Sequence, residues 1–275
     1  MEHHEWSPTD APQTAPSPAR IYDYLLGGYH NFAADRAVAD QLEAVYPDIR
    51  LNALANRAFL RRTVTYLLDQ GITQFLDLGS GIPTVGNVHE IAQHRDPSVR
   101  VVYVDNDPVA VAHSQSILRD NRTATAIQAD VREIGALLAH PDLGLLDFTQ
   151  PVGVLLVALL HFITDDATAS TIVQELRAVL VPGSYLVLAH GTQAPTPPTE
   201  IKAAETVYSR SAQTLRIRQP AEIAAFFTGL ELVPPGLVHV PAWQPEGPQD
   251  VWVDEPERSG MLGGVARVPE LAVPR

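Results

Sequence analysis

Three aspartates stand at matching places in the middle of this chain, Asp77, Asp105 and Asp130, each at or next to the end of an apolar run. The runs are Gln74–Leu78, Arg100–Asp105 and residues 125–129. As parallel strands they would bring all three carboxylates to one carboxyl edge, where open α/β sheets bind their ligands. After Asp77 the sequence breaks into Gly79-Ser80-Gly81-Ile82-Pro83-Thr84. Glycines at 79 and 81 leave room that a Cβ would fill, so the backbone can come close to a nucleotide-like ligand. Pro83 suits the first turn of a helix, where a missing N–H is harmless. Asp105, with Asn106 beside it, is placed to accept hydrogen bonds from a ribose diol. Asp130 is placed to take an exocyclic adenine amine while Val131 packs on the ring. The pattern points to an adenosine-bearing ligand, and an acid at the ribose position disfavours a 2′-phosphate.

NAD and S-adenosyl-L-methionine both contain adenosine, and the first turn separates them. A dinucleotide fold asks for Gly-x-Gly-x-x-Gly/Ala, with pyrophosphate on the helix N-terminus. Here the third glycine position holds Thr84, and Asp77 lies two residues before the first glycine. A carboxylate there repels pyrophosphate and suits the cationic amino-acid end of a sulfonium cofactor. The constellation therefore leans to S-adenosyl-L-methionine held by Asp77, Gly79, Ser80, Gly81, Asp105, Asn106, Asp130 and Val131.

Methyl transfer from a sulfonium needs the nucleophile aligned with the methyl carbon and, in some enzymes, a base. The apolar run 152–160 ends at His161, which would face the reacting methyl. His161 is the candidate general base; its other reading is a cap or packing partner beside Asp165 and Asp166. His190, at the end of the run 185–189, is a weaker candidate of the same kind. The Asn/Asp-Pro-Pro-aromatic signature of many base and protein-amine methyltransferases is absent after the fourth run. Upstream, Gly27-Gly28 permits a turn that would lay Tyr22, Tyr29, His30 and Asn31 over the cofactor; the alternative is a helix-loop-helix with a solvated face. Asn56 and Arg57 either contact the cofactor carboxylate or lie on a helix surface. His3-His4 makes a poor metal site, and His89, His94, His113, His140 and His239 show no ligand spacing, so no metal is expected. No Gly-x-Ser-x-Gly elbow supports a hydrolase.

The elements that must position these residues follow from periodicity. Val38, Leu42 and Val45 fall on one helical face, and Leu60, Val64, Leu67 and Leu68 on another. Strand-like runs at Gln74–Leu78, Arg100–Asp105, 125–129, 152–160 and 185–189 alternate with helical stretches near 84–94, 108–121, 131–139, 166–180 and 200–212. This predicts an α/β fold with a doubly wound, mostly parallel sheet. Residues 230–233, 237–240 and 264–268 are candidate edge strands. Residues 1–18, with four prolines, read as a disordered tail and 19–70 as a helical cover.

With 275 residues, 45% of them hydrophobic, the chain can bury a sizeable core. A net charge of -13 and one adjacent basic pair, Arg61-Arg62, argue against a nucleic-acid partner. The absence of cysteine excludes disulfides, thiolate metal sites and cysteine nucleophiles. The N-terminal residues are unlike a signal peptide, and the run 152–160, interrupted by Gly153, is far short of a membrane span. A cytoplasmic protein with no membrane partner is expected.

Asp77-Leu-Gly-Ser-Gly81 followed by Asp105 and Asp130 resembles class I S-adenosylmethionine-dependent methyltransferases over about residues 70–192. The segments Ser17 to Arg36, Asn56-Arg-Ala-Phe-Leu-Arg-Arg62 and Gly79-Ser-Gly-Ile-Pro-Thr84 resemble an actinobacterial group of S-adenosyl methyltransferases of unassigned substrate. The resemblance implies a Rossmann-like methyltransferase fold with a helical N-terminal cover. The chain's own pattern sets the cofactor-binding domain at 71–275 and adds Tyr22 and Arg57 to the expected cofactor contacts. The resemblance supplies no substrate; a methyltransferase acting on an unidentified small molecule is expected, with the oligomeric state unknown. An NAD-dependent oxidoreductase and a non-catalytic adenosyl-ligand binding protein are the alternatives.

Overall fold

Leu76, Leu78, Val102, Val104, Val154 and Leu186 all lie on strands that are apolar on both faces, the mark of a parallel sheet covered on both sides. The computed structural model describes residues 15–83, 86–193, 198–209, 211 and 213–270. Five strands run parallel: β1 (Gln74–Leu78), β2 (Arg100–Asp105), β3 (Ala124–Gln128), β4 (Gly153–Val157) and β5 (Tyr185–Gly191). Two short strands, β6 (Glu231–Leu232) and β7 (Val238–His239), pair antiparallel with β8 (Met261–Arg267), which itself pairs antiparallel with β5. The sheet order is β3-β2-β1-β4-β5-β8-β6, with β7 beside β8. Asp77 on β1 stands opposite Tyr103 on β2 and Leu155 on β4. The order reverses between β1 and β4, so the switch-point crevice opens at the carboxyl end of β1, where Asp77 sits.

The helices are α1 (Pro18–Leu25), α2 (Ala33–Val45), α3 (Ile49–Asp69), α4 (Val88–Arg95), α5 (Pro108–Ile117), α6 (Ile134–Leu138), α7 (Asp166–Val179), α8 (Pro198–Tyr208) and α9 (Pro220–Ala225). One core layer joins Ile172 and Leu176 of α7 and Ile223 of α9 to the sheet. The other joins Phe59, Leu60 and Val64 of α3 to Phe75, Val101 and Leu155. A third cluster holds the cover: Ile21 and Leu25 of α1, Val38 and Leu42 of α2, and Ala53 of α3 pack with Val207 and Tyr208 of α8. Burying an aliphatic side chain contributes about 1.5–3 kcal/mol. This cluster therefore anchors α1 and α2 over the crevice.

Several expectations shift. Pro83 does not start a helix: α4 begins at Val88, where Asn87 is the cap and Glu90 Oε2 accepts from the N–H of Asn87 (2.8 Å) and Gly86 (3.0 Å). Thr84 lies outside the described residues. The run 152–160 ends early, because Ala158 turns to φ +60° and a 3₁₀ turn, Leu160–Phe162, follows. Strand β5 extends past residue 189 and takes His190 inside it. Residues 1–14 of the expected tail, with His3-His4, also lie outside the described residues. Its last residues are packed: Ser17 is buried and its N–H donates to Asp35 (2.9 Å), and Pro18 opens α1.

Candidate active site

A cavity of about 230 Å³ lies at the carboxyl ends of β1, β2 and β4, roofed by α1, α3 and α8. Asp77, Gly79, Ser80, Gly81, Asp105, Asn106, Asp130 and Val131 all line it, together with Tyr22, Arg57 and His161. Gly79 and Gly81 shape its floor with φ of +69° and +67°, values that L side chains adopt only with strain. A Cβ on Gly79 would lie 2.5 Å from Leu159 Cδ1. The Gly79 and Ser80 N–H groups bond to the Val104 carbonyl (2.8 and 3.1 Å), fixing the turn against β2.

Asp105 is tied into this turn. Its Oδ2 accepts from the Gly81 N–H and its Oδ1 from the Asp107 N–H, both at 2.8 Å. Each oxygen keeps a further lone pair for a ligand hydroxyl. Burial raises its pKa to about 6, with the backbone N–H donors opposing. Asp77 is raised further, to about 7: burial dominates, the Arg57 guanidinium opposes it, and the Asp105 carboxylate adds to it. Two neighbouring buried carboxyls held near neutrality make a pocket suited to a positively charged guest.

Arg57 donates to Asn87 Oδ1 (3.2 Å) from α3. Tyr22 on α1 donates to the Ala53 carbonyl (3.1 Å) and accepts from Asn56 Nδ2 (3.0 Å), and burial raises its pKa. The other three residues expected over the cofactor with Tyr22 are placed elsewhere. Tyr29 is 93% exposed, His30 packs on His113 at 4.1 Å between ring centroids, and Asn31 donates to Asp23 (2.8 Å). Gly28 is required here, since a Cβ would fall 2.0 Å from Asp23 Oδ1. Asp130 is half-buried, follows β3, and is bonded by Arg132 through both its backbone N–H (2.9 Å) and its guanidinium. That engagement lowers the Asp130 pKa and leaves Val131 as the buried apolar wall.

His161 sits in the 3₁₀ turn after β4. Its Nδ1 accepts from the Gly191 N–H (3.3 Å), which places the ring proton on Nε2. Burial, then His190 and Arg218, push its pKa well below the usual histidine value, so the ring is neutral. Neither Asp165 nor Asp166 pairs with it: Asp165 caps α7 at Thr168 (2.7 Å), and Asp166 binds Arg216 and Arg218. His190, the weaker candidate, does not line this cavity. It is fully buried, its Nδ1 bonds the Gly191 carbonyl (2.6 Å), and its Nε2 accepts from Arg218 (2.9 Å), with its pKa lowered to about 4 by burial first.

Two buried arginines went unread in the sequence. Arg218, 1% exposed, donates to the carbonyls of Leu160 and Ile163 (both 2.8 Å) and to Asp166, so it clamps the turn that carries His161. Arg20 bridges Asp35 (2.9 Å) and Asp107 (2.8 Å), tying the cover to the cap of α5 next to Asp105. Their charged partners Asp35, Asp107 and Asp166 stand 15, 87 and 52 residues away, so no local pattern marks the pairs.

The glycine cradle, the paired buried acids and the apolar wall at Val131 together fit an adenosyl sulfonium and its ammonium-bearing tail. Among the described residues no cluster of three His, Asp or Glu side chains could hold a metal. A family profile described as S-adenosyl methyltransferase matches residues 4–269. A provisionally assigned methyltransferase from Thermobifida fusca YX is 38% identical, covering 93% of this chain and 96% of its own, with a TM-score of 0.87. A DUF574 family protein from Streptomyces avermitilis MA-4680 is 39% identical over 93% of this chain and 98% of its own, with a TM-score of 0.85. The CurJ carbon methyltransferase, at 14% identity over 91% of this chain and 67% of its own, shares the fold alone (TM-score 0.53). No curated protein matches the sequence. The chain belongs to the S-adenosyl methyltransferase family and carries its Rossmann-like α/β fold.

Proposed function

We propose that this methyltransferase binds S-adenosyl-L-methionine in the crevice at β1 and β2 and passes its methyl group to a small-molecule acceptor held under the cover. The observation that carries the reading is the pair Asp77 and Asp105, buried side by side at the switch point with pKa values of about 7 and 6. When bound, S-adenosyl-L-methionine supplies a methyl carbon activated by a positive sulfur. Asp77 would hold the ammonium of its amino-acid tail and Arg57 the carboxylate of that tail. Asp105 and the adjoining Asn106 would take the ribose hydroxyls, Val131 would pack on the adenine, and Asp130 would accept from its amine. The backbone of Gly79, Ser80 and Gly81 allows close approach of the ligand.

His161 is neutral and keeps its proton at Nε2. In this arrangement it orients an acceptor oxygen or nitrogen by donating to it, and it is a weak base. The chain's contribution is then alignment and exclusion of water, which suffices for transfer to an acceptor already nucleophilic. We read residues 19–70 as the cover and 71–275 as the cofactor-binding domain, although α8 shares a core with the cover. We also place the protein in the cytoplasm and in the actinobacterial group. Among the described residues no helix is long and apolar enough to cross a membrane. Calorimetry with S-adenosyl-L-methionine, S-adenosyl-L-homocysteine and NAD tests the assignment. The first two should bind and NAD should not; tight NAD binding alone would replace this reading with a dehydrogenase.

A further inference from the structure

The cavity has two chemically different halves. Its charged side chains, Arg57, Asp77, Asp105, Asp130 and Arg132, all gather on the cofactor side. Asp130 and Arg132 pair with each other there. The opposite half, between the cover helices and α8, is walled by Leu25, Leu42, Ile49, Phe162, Ile201 and Leu215. Tyr22, Tyr46, Asn52, Asn56 and Gln213 supply polar atoms there, none from an acid or a base, and Tyr208 is held un-ionised by a burial-raised pKa. Among the described residues that line the cavity no acidic or basic side chain stands beyond those five, and Arg57, whose charge reaches Tyr22, marks the border between the halves. His161, at the junction of the two, is neutral.

A charged acceptor placed there would lose its hydration without gaining a partner, a penalty of several kcal/mol. An uncharged, mostly apolar molecule loses little and gains contact with the aliphatic and aromatic wall. We infer, on top of the methyltransferase reading above, that the methyl acceptor is an uncharged, predominantly apolar small molecule. Free amino acids, nucleotides and sugar phosphates, all charged at neutral pH, fall outside that class. Its nucleophilic atom is one that needs no ionised partner from the protein, a hydroxyl, a neutral amine or an electron-rich carbon beside His161; it would bond the methyl carbon as the sulfur–methyl bond breaks, with S-adenosyl-L-homocysteine as the leaving group and the acceptor's proton passing to solvent.

The test uses the full chain saturated with S-adenosyl-L-homocysteine and three probes of one size at pH 7.5: 2-naphthol, 2-naphthoate and 2-naphthylmethylammonium. Calorimetry should show 2-naphthol binding at least about tenfold more tightly than either ion, the least that an uncompensated buried charge imposes. Equal or tighter binding of either ion, or binding of none of the three, overturns the inference. Ala204→Asp, which puts a carboxylate on the α8 wall, should shift preference toward the ammonium probe while S-adenosyl-L-homocysteine still binds. An unchanged probe order in that variant also counts against the inference, because Ala204 would then not face the acceptor. Failure of S-adenosyl-L-homocysteine itself to bind the unmodified protein refutes the cofactor site. Its binding together with ion-preferring probes refutes only the acceptor class.

Discussion

Lowering the pH should weaken cofactor-product binding through two identified carboxyls. Asp77 titrates at about 7 and Asp105 at about 6 in the free protein. If the ligand requires both ionised, affinity scales with the product of their ionised fractions. From pH 7.5 to pH 6.0 that product falls about 15-fold, or about 1.6 kcal/mol, most of it from Asp77. Near pH 6.5 the free protein carries about one proton on the pair, which binding must expel. Titration calorimetry with S-adenosyl-L-homocysteine at the two pH values reads the affinity loss. Repeating the titration at pH 6.5 in buffers of different ionisation enthalpy counts the proton released. Asp77→Asn should bind weakly at both pH values and retain no more than about a twofold pH dependence from Asp105. An affinity that is flat between pH 6.0 and 7.5, or proton uptake on binding, would refute the assignment of these acids to the ligand.

The same linkage has a sign in stability. A carboxyl whose folded pKa is raised contributes stability present below its unfolded value and lost as pH rises through the folded one. The Asp77–Asp105 pair therefore favours the free fold at pH 4 and opposes it by pH 7.5. Accordingly, the Tm gain produced by S-adenosyl-L-homocysteine should be larger at pH 7.5 than at pH 6.0 in differential scanning fluorimetry. Arg218→Leu should destabilise the fold by about 3–5 kcal/mol, since it leaves the buried carbonyls of Leu160 and Ile163 and the Nε2 of His190 without a donor while Asp166 keeps Arg216, and urea denaturation would measure the loss. Asp105→Ala should reduce S-adenosyl-L-homocysteine affinity by at least about tenfold through the lost charge-assisted bonds, and unchanged affinity would remove Asp105 from the ribose. Gly79→Ala should lose about 1–3 kcal/mol of stability and much of the binding, because the backbone is at φ +69° and the new methyl meets Leu159.

The parallel core was legible because each strand is a short apolar run bounded by glycine, proline or a charged residue. The three acids were legible because strand ends share one edge of the sheet. What could not be read depends on distant partners. Arg218 finds Leu160 and His190 only after β4 and β5 have paired, and Arg20 finds Asp107 only after α1 has crossed to α5. Pro83 misled because a proline suits either a helix start or a loop, whereas Asn87 and Glu90 formed the actual cap. His161 and His190 stand at similar places in the sequence. Extension of β5 by two residues past 189 buried His190 against Arg218, and the break at Ala158 left His161 on the cavity wall. Tyr29 looked like a residue for the site and is turned to solvent by the Gly27-Gly28 bend that Asp23 holds.

The adenosyl ligand should sit in the crevice at Asp77 and Asp105. A crystal structure of the protein with S-adenosyl-L-homocysteine tests that placement directly. The ribose hydroxyls should lie within hydrogen-bond distance of the Asp105 carboxylate, the ligand ammonium on Asp77 and the adenine against Val131. A ligand bound elsewhere, or one whose ribose lies away from Asp105, would contradict it.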